Sequence, residues 1–183
     1  MGKRRRKRSI LLFAAKFLIF VTVLVVAWWA VLPYYGYGLA QVSGAILRFA
    51  LGVPIEYARL DAAGMLNTES RLVFGLGGRE PRMPVALLVT NVPPYLALVA
   101  ATAGLAMRRR LRILALGTGI LCAGHVAFIV VALRFGEALR QVSEIPTAVA
   151  QFYLTLPFLL WIVFAYWDRL ASYLGEERRP PSA

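Results

Sequence analysis

Residues 85–133 read VALLVTNVPPYLALVAATAGLAMRRRLRILALGTGILCAGHVAFIVVAL, two apolar runs on either side of a cluster of four arginines. Each run, 85–107 and 113–133, is long enough to cross a bilayer, because about 20 apolar residues span its hydrocarbon. The stretch between them, 108–112, is short and basic, which predicts a tight turn on the cytoplasmic face. The same hairpin holds the only histidine, His125, and the only cysteine, Cys122.

Composition extends this reading to the whole chain. Hydrophobic residues make up 60% of 183 positions, and the mean hydropathy is +0.66. A soluble domain of that composition would leave large apolar patches in water. The formal charge of +12 does not point to nucleic acid, since the cations gather at the edges of apolar runs instead of spreading over a face with aromatics between them. A single cysteine allows no internal disulfide and no cysteine-based zinc site.

Outward from the hairpin, 1–9 is a basic arm with Lys3, Arg4, Arg5, Arg6, Lys7 and Arg8, suited to anionic headgroups and to setting orientation. Residues 10–32 form the first expected span, an uncleaved signal anchor: the apolar run is too long for a signal peptide, and Trp28 spoils a cleavage site at Ala30. Lys16 lies about 9 Å along the helix, near enough to the inner surface to snorkel. Trp28, Trp29, Tyr34, Tyr35 and Tyr37 read as an aromatic belt where the chain leaves the lipid.

Residues 33–84 form the one sizeable insert. Leu39, Val42, Ile46 and Phe49 recur at helical spacing, which predicts an interfacial helix over 37–51, ended by Gly52 and Pro54. From 55 to 76 the pattern moves towards period two, with Ile55, Tyr57, Leu72 and Phe74, and predicts a short hairpin. Gly75, Gly77, Gly78, Pro81 and Pro84 predict a loop back to the membrane, not a phosphate-binding loop. In the second span Pro93 and Pro94 predict a kink or a late helix start. Residues 134–148 form an outer loop whose charges, Arg134, Glu137, Arg140 and Glu144, are spaced to pair along a short helix. The fourth span is 149–167, and 168–183 reads as a disordered tail.

The expected architecture is therefore an all-α integral membrane protein of four transmembrane helices, with a small extracytoplasmic α+β insert between the first and second. With the N-terminus inside, fourteen Lys and Arg fall on the cytoplasmic side and seven on the outer side. The positive-inside rule then places both termini in the cytoplasm of a bacterial inner membrane.

Two sets of candidate residues follow. Ala97, Ala101 and Gly104 on the second span, and Ala115, Gly119 and Ala123 on the third, form small-residue ridges that let helices approach closely in lipid. Counting 1.5 Å per residue from the outer boundaries puts Asn91, His125 and Thr155 about 9 to 12 Å deep, with Tyr95 deeper and Gln151 shallower. Polar groups at that depth need partners, so they should converge in the bundle interior. His125 could hydrogen-bond, move a proton or simply hold helices in register. Cys122 reads either as its nucleophilic neighbour or as a small packing residue. No cofactor or metal is expected, since there is no second histidine and no nearby carboxylate.

Residues Asn91-Val92-Pro93-Pro94-Tyr95-Leu96-Ala97-Leu98, Ala101-Thr102-Ala103-Gly104, 108–112 and 121–126, ending in Gly124-His125-Val126, resemble a pattern in the exosortase-associated bacterial membrane proteins, particularly those associated with exosortase H. The four-span layout with an outer insert is similar. The resemblance implies an accessory role in sorting or anchoring exported proteins. Exosortases themselves are cysteine transpeptidases whose Cys, Arg and His come from separate membrane segments. Here Cys122 and His125 share one helix and the intramembrane arginine is missing, which leaves a partner role in place of catalysis. Two functions stand: a non-enzymatic subunit bound to lipid bilayer and to a membrane-protein partner, an exosortase on the resemblance, or a small intramembrane enzyme or carrier using His125 with Asn91, Tyr95 and Cys122.

Overall fold

The computed structural model describes residues 2–64, 67, 69–140 and 145–176, with side chains for 10–64, 67, 69–85, 88–135 and 151–167. The chain is mostly helical with one small sheet. In order, the elements are α1 (Gly2–Ala45), a π-helical turn (Ile46–Ala50), β1 (Ile55–Asp61), β2 (Arg71–Leu76), β3 (Arg82–Pro84), α2 (Val85–Val89), α3 (Val92–Ala101), α4 (Met107–Arg140) and α5 (Ile145–Glu176). Among the described residues, two helices are long and apolar enough to cross a membrane, Ile10–Ala50 and Met107–Phe135, while Val92–Ala101 and Gln151–Trp167 are apolar but shorter.

The first correction concerns α1. The expected span, 10–32, and the first part of the expected interfacial helix, 37–51, lie on one continuous helix of 44 residues, about 66 Å long at 1.5 Å per residue, which passes into the π-helical turn Ile46–Ala50. Pro33 lies inside it and removes the amide that would bond the carbonyl four residues earlier, that of Trp29. Asn67, in the left-handed region at φ 60°, donates its side-chain amide to that carbonyl at 3.4 Å. The insert thus compensates the break in the helix that precedes it.

Beyond Pro33 the helix carries the sheet. Gly36 and Gly44 face β1 so closely that a Cβ would stand 3.0 Å from Leu60 and 2.9 Å from Ala58. Leu39, Ala40 and Leu47 are buried on this side, while Val42, Ile46 and Phe49 remain exposed. The sheet is antiparallel in the order β1-β2-β3, with Ala58 opposite Phe74, Leu60 opposite Leu72, and Arg71 opposite Pro84. A third strand therefore joins the expected hairpin, formed after the glycines at 77 and 78 turn the chain with φ of 52° and 78°. The free edge of β1 is closed by α1 and the π-helical turn that follows it: Gln41 donates to the Ala58 carbonyl at 2.8 Å, and Arg48 of the turn to those of Ile55 and Glu56 at 2.9 and 3.1 Å. Such closure removes a template for edge-to-edge pairing. On the exposed side the Tyr57 hydroxyl donates to Glu80; this bond, then that from Arg82, holds the Glu80 carboxyl below its ordinary range. Leu72 and Phe74 share one core with Leu32, Val85, Val89 and Ile129, so the sheet and the helices form a single body.

The second correction concerns 85–107, expected as one span. It is two short helices. Val85–Val89 stops at Thr90, and α3 runs for 10 residues, about 15 Å. Pro93 sits in its first turn, where a missing N–H is an advantage, because the first four amides of a helix lack partners. With Pro93 and Pro94 supplying none and the Tyr95 amide bonded to the Asn91 carbonyl at 3.4 Å, α3 starts without a side-chain cap. It ends at Thr102, whose hydroxyl bonds the Leu98 carbonyl at 2.7 Å, and Gly104 at φ 79° turns the chain.

The third correction is that 108–112 is not the turn. The turn is 102–106, and the arginines open α4, consistent with the good helix propensity of Arg and Leu. Arg110 reaches back to the Thr102 carbonyl at 2.9 Å. At the other end of α4, residues 134–140 extend the helix in place of a loop; the expected pairing of Glu137, Arg140 and Glu144 lies outside the described residues. Residues 168–176 continue α5 where a disordered tail was expected.

Around α3 the other helices form a wall. Val92, Pro93, Tyr95, Ala97, Leu98, Val99 and Ala101 are all buried, against partners on α1, α4 and α5 that include Trp28, Leu121, Leu156 and Trp161. The small-residue ridges divide accordingly. Ala97 and Ala101 pack inside. Gly104 lies in the turn, and Ala115, Gly119 and Ala123 face outwards, with nothing within 4 Å of a Cβ at Gly104 or Gly119. The close approach is made at Gly117, where a Cβ would stand 1.9 Å from the Tyr95 hydroxyl, which itself donates to the Ile113 carbonyl at 2.6 Å.

Gly117→Ala should therefore destabilise by about 1–3 kcal/mol, the usual range for overpacking. Gly119→Ala should be neutral or stabilising by up to about 1 kcal/mol from helix propensity. Thermal unfolding of the two purified variants checks the difference.

Candidate functional site

His125 is fully buried on α4, and partners on three other elements meet it. Its Nε2 lies 3.0 Å from Asn91 Oδ1, and its Nδ1 lies 2.8 Å from the Tyr35 hydroxyl. Tyr153 of α5 stacks on the ring, with centroids 5.8 Å apart and planes 18° from parallel. Tyr153 in turn donates its hydroxyl to the Gly124 carbonyl, and its own carbonyl accepts from Asn91 Nδ2 at 3.4 Å.

These partners fix the direction of every bond. A carbonyl only accepts, so the Asn91 amide turns its nitrogen to Tyr153 and its oxygen to His125. His125 Nε2 must then carry the proton, and in the neutral ring Nδ1 is the acceptor. The single Tyr35 proton goes to Nδ1. Cys122 Sγ, 3.1 Å from the same hydroxyl, can direct its thiol proton to the Tyr35 oxygen. A chain results: Cys122 to Tyr35 to His125 to Asn91 to the Tyr153 backbone.

Of the expected polar layer, Asn91 and His125 come together and Cys122 joins them through Tyr35. Tyr95 does not, since its hydroxyl is used at Ile113. Gln151 and Thr155 are exposed, and Thr155 bonds the Gln151 and Phe152 carbonyls of its own helix at 3.1 and 3.0 Å. Sequence reasoning missed Tyr35 by assigning it to the aromatic belt. The signal was present: no charged residue occurs from 17 to 47, so the apolar helix need not end at Pro33.

A second polar link holds the other end of α3, where Trp161 Nε1 donates to Thr102 Oγ1 at 2.8 Å. Among buried described side chains, Trp28 Nε1, Ser43 Oγ and Arg110 Nε have no hydrogen-bond partner. No group of three His, Cys, Asp or Glu that could hold a metal ion occurs among the described residues. Comparison with known protein families, curated proteins and solved structures finds no match to this chain.

Replacing His125 with Ala strands Asn91 Oδ1 and the Tyr35 hydroxyl, whereas Tyr35→Phe strands His125 Nδ1 and the weakly bonding Cys122 thiol. Loss of one partner of a buried bond costs about 1–3 kcal/mol, while polar bonds between membrane helices average about 0.6 kcal/mol. The expected order of thermal stability in detergent is wild type, then Tyr35→Phe, then His125→Ala, with about 2 kcal/mol lost in the last.

Proposed function

We propose that the chain is a non-enzymatic, multi-pass accessory subunit of a bacterial inner membrane, with both termini cytoplasmic, docked onto a membrane protein of an exosortase-type sorting system. Residues 10–32, 113–133 and 149–167 cross the bilayer, and 85–107 enters it as the short, interior α3. Two helices that could cross a membrane support this, as do the exposed apolar side chains along α1, such as Leu11, Ile19 and Val26. The excess of Lys and Arg on the assigned cytoplasmic side supports the orientation. The resemblance of residues 91–98, 101–104 and 121–126 to exosortase-associated proteins supplies the kind of partner.

The observation that carries the subunit reading is how the chain uses its polar and small residues. Both ring nitrogens of His125 are committed to side chains of the same chain. The ridge Ala115, Gly119, Ala123 is exposed, with open space before Gly119, the surface a second helix would need for close approach.

One feature favours a second reading, an intramembrane enzyme or carrier built on His125, Asn91 and Cys122: the unbroken hydrogen-bond path from the Cys122 thiol through Tyr35 to the imidazole. Complementation in the host separates the two. On the subunit reading, Gly119→Leu keeps normal abundance, abolishes function and shifts the native complex to smaller size, whereas Cys122→Ser is silent. If Gly119→Leu is silent and Cys122→Ser abolishes function at full abundance, the enzyme or carrier reading replaces it.

A further inference from the structure

A groove of about 820 Å³ opens between the first turns of α4 and the far end of α5, remote from His125. Its described lining divides by chemistry. Arg108, Arg109 and Arg112 line it from α4 and Trp167 from α5, and Leu116, Val163 and Phe164 give it an apolar wall. Arg108 and Arg112 are four residues apart and share a face of α4, and Leu116 continues that line one turn on. The distance from Arg108 to Leu116 along the helix is about 12 Å. The groove therefore passes from cationic to apolar within the length of a headgroup and the first methylenes of an acyl chain.

We infer that this groove binds one anionic diacyl phospholipid, its phosphate between Arg108 and Arg112 and one chain along Leu116 and Val163. The inference rests on the proposed reading of α4 and α5 as membrane-crossing helices. Charge complementarity selects the headgroup, because Arg108 and Arg112 line the groove one helical turn apart and no carboxylate is among its described lining. The wall selects a lipid over a free anion: Leu116 is 51% exposed and Val163 42%, and only an apolar chain gains by covering them. Trp167, 57% exposed, sits where an indole marks the boundary between headgroup and hydrocarbon.

The test is native mass spectrometry of the full chain, released from nanodiscs of mixed phosphatidylglycerol and phosphatidylcholine. One phosphatidylglycerol should be retained in preference to phosphatidylcholine. Arg108→Gln with Arg112→Gln should weaken that retention about twenty-five-fold, since one arginine near an anionic surface contributes roughly five-fold. Neutralising the arm at Lys3, Arg4, Arg5, Arg6, Lys7 and Arg8 should leave it intact, as should Arg71→Gln on the sheet. A thermal unfolding curve like that of the wild type shows that the groove variant is folded. Equal retention of the two lipids overturns the inference, as does loss with the arm variant alone, or full competition by glycerol phosphate without acyl chains. Failure of the membrane reading itself is separately visible, as release of the protein from membranes by alkaline carbonate.

Discussion

The structure depends on a requirement of any protein interior: a backbone or side-chain polar group buried away from water is costly unless it finds a partner within the protein. The bond from His125 to Asn91 is where that requirement is met at the break before α3. Pro93 and Pro94 leave the helix start with few amides to satisfy, so Asn91 stands at the capping position without capping. Its amide is free to bind both His125 and the Tyr153 carbonyl. One side chain thereby links the start of α3 to α4 and α5, and Tyr35 brings in α1 through the other ring nitrogen. At the far end, Thr102 closes the helix and accepts from Trp161 and Arg110.

A helix of about 15 Å cannot cross a bilayer alone. It can exist at membrane depth when surrounded by protein, since broken helices are tolerated where they are buried. The long helices provide that surrounding, and the sheet closes one end by packing on α1 and sharing a core with α4. Pro33 illustrates the coupling. It opens a gap in α1 that Asn67 fills from the insert, so helix and insert are mutually dependent and not a rod with an appended domain.

Much of this was legible in the sequence, and the rest was hidden for physical reasons. Composition and charge placement led to apolar helices with basic ends, and period-two spacing found β1 and β2. Depth counting put Asn91 and His125 in one layer, and the two side chains do meet, although Asn91 stands in the break between two short helices and not on the single span expected. Tyr35 escaped because proline and an aromatic cluster were read as the end of a span, whereas a proline whose freed carbonyl finds a donor leaves the helix whole. The arginines at 108–112 were read as a turn because charge marks membrane edges; the turn was set by Thr102 and Gly104, whose conformations end one helix before the next begins. Spacing finds the ridge through Gly119 but not the direction it faces, and the close approach at Gly117 is decided by the place of Tyr95 on the neighbouring helix.

The most direct measurement is a double-mutant cycle between His125→Ala and Asn91→Ala, read as unfolding free energy of the full chain in lipid–detergent micelles. If the pair holds the start of α3, the double variant loses about 1 kcal/mol less than the sum of the single losses, because once one partner has gone the other has nothing left to bind. Additive losses would contradict the account, and α3 would then be held by apolar packing alone.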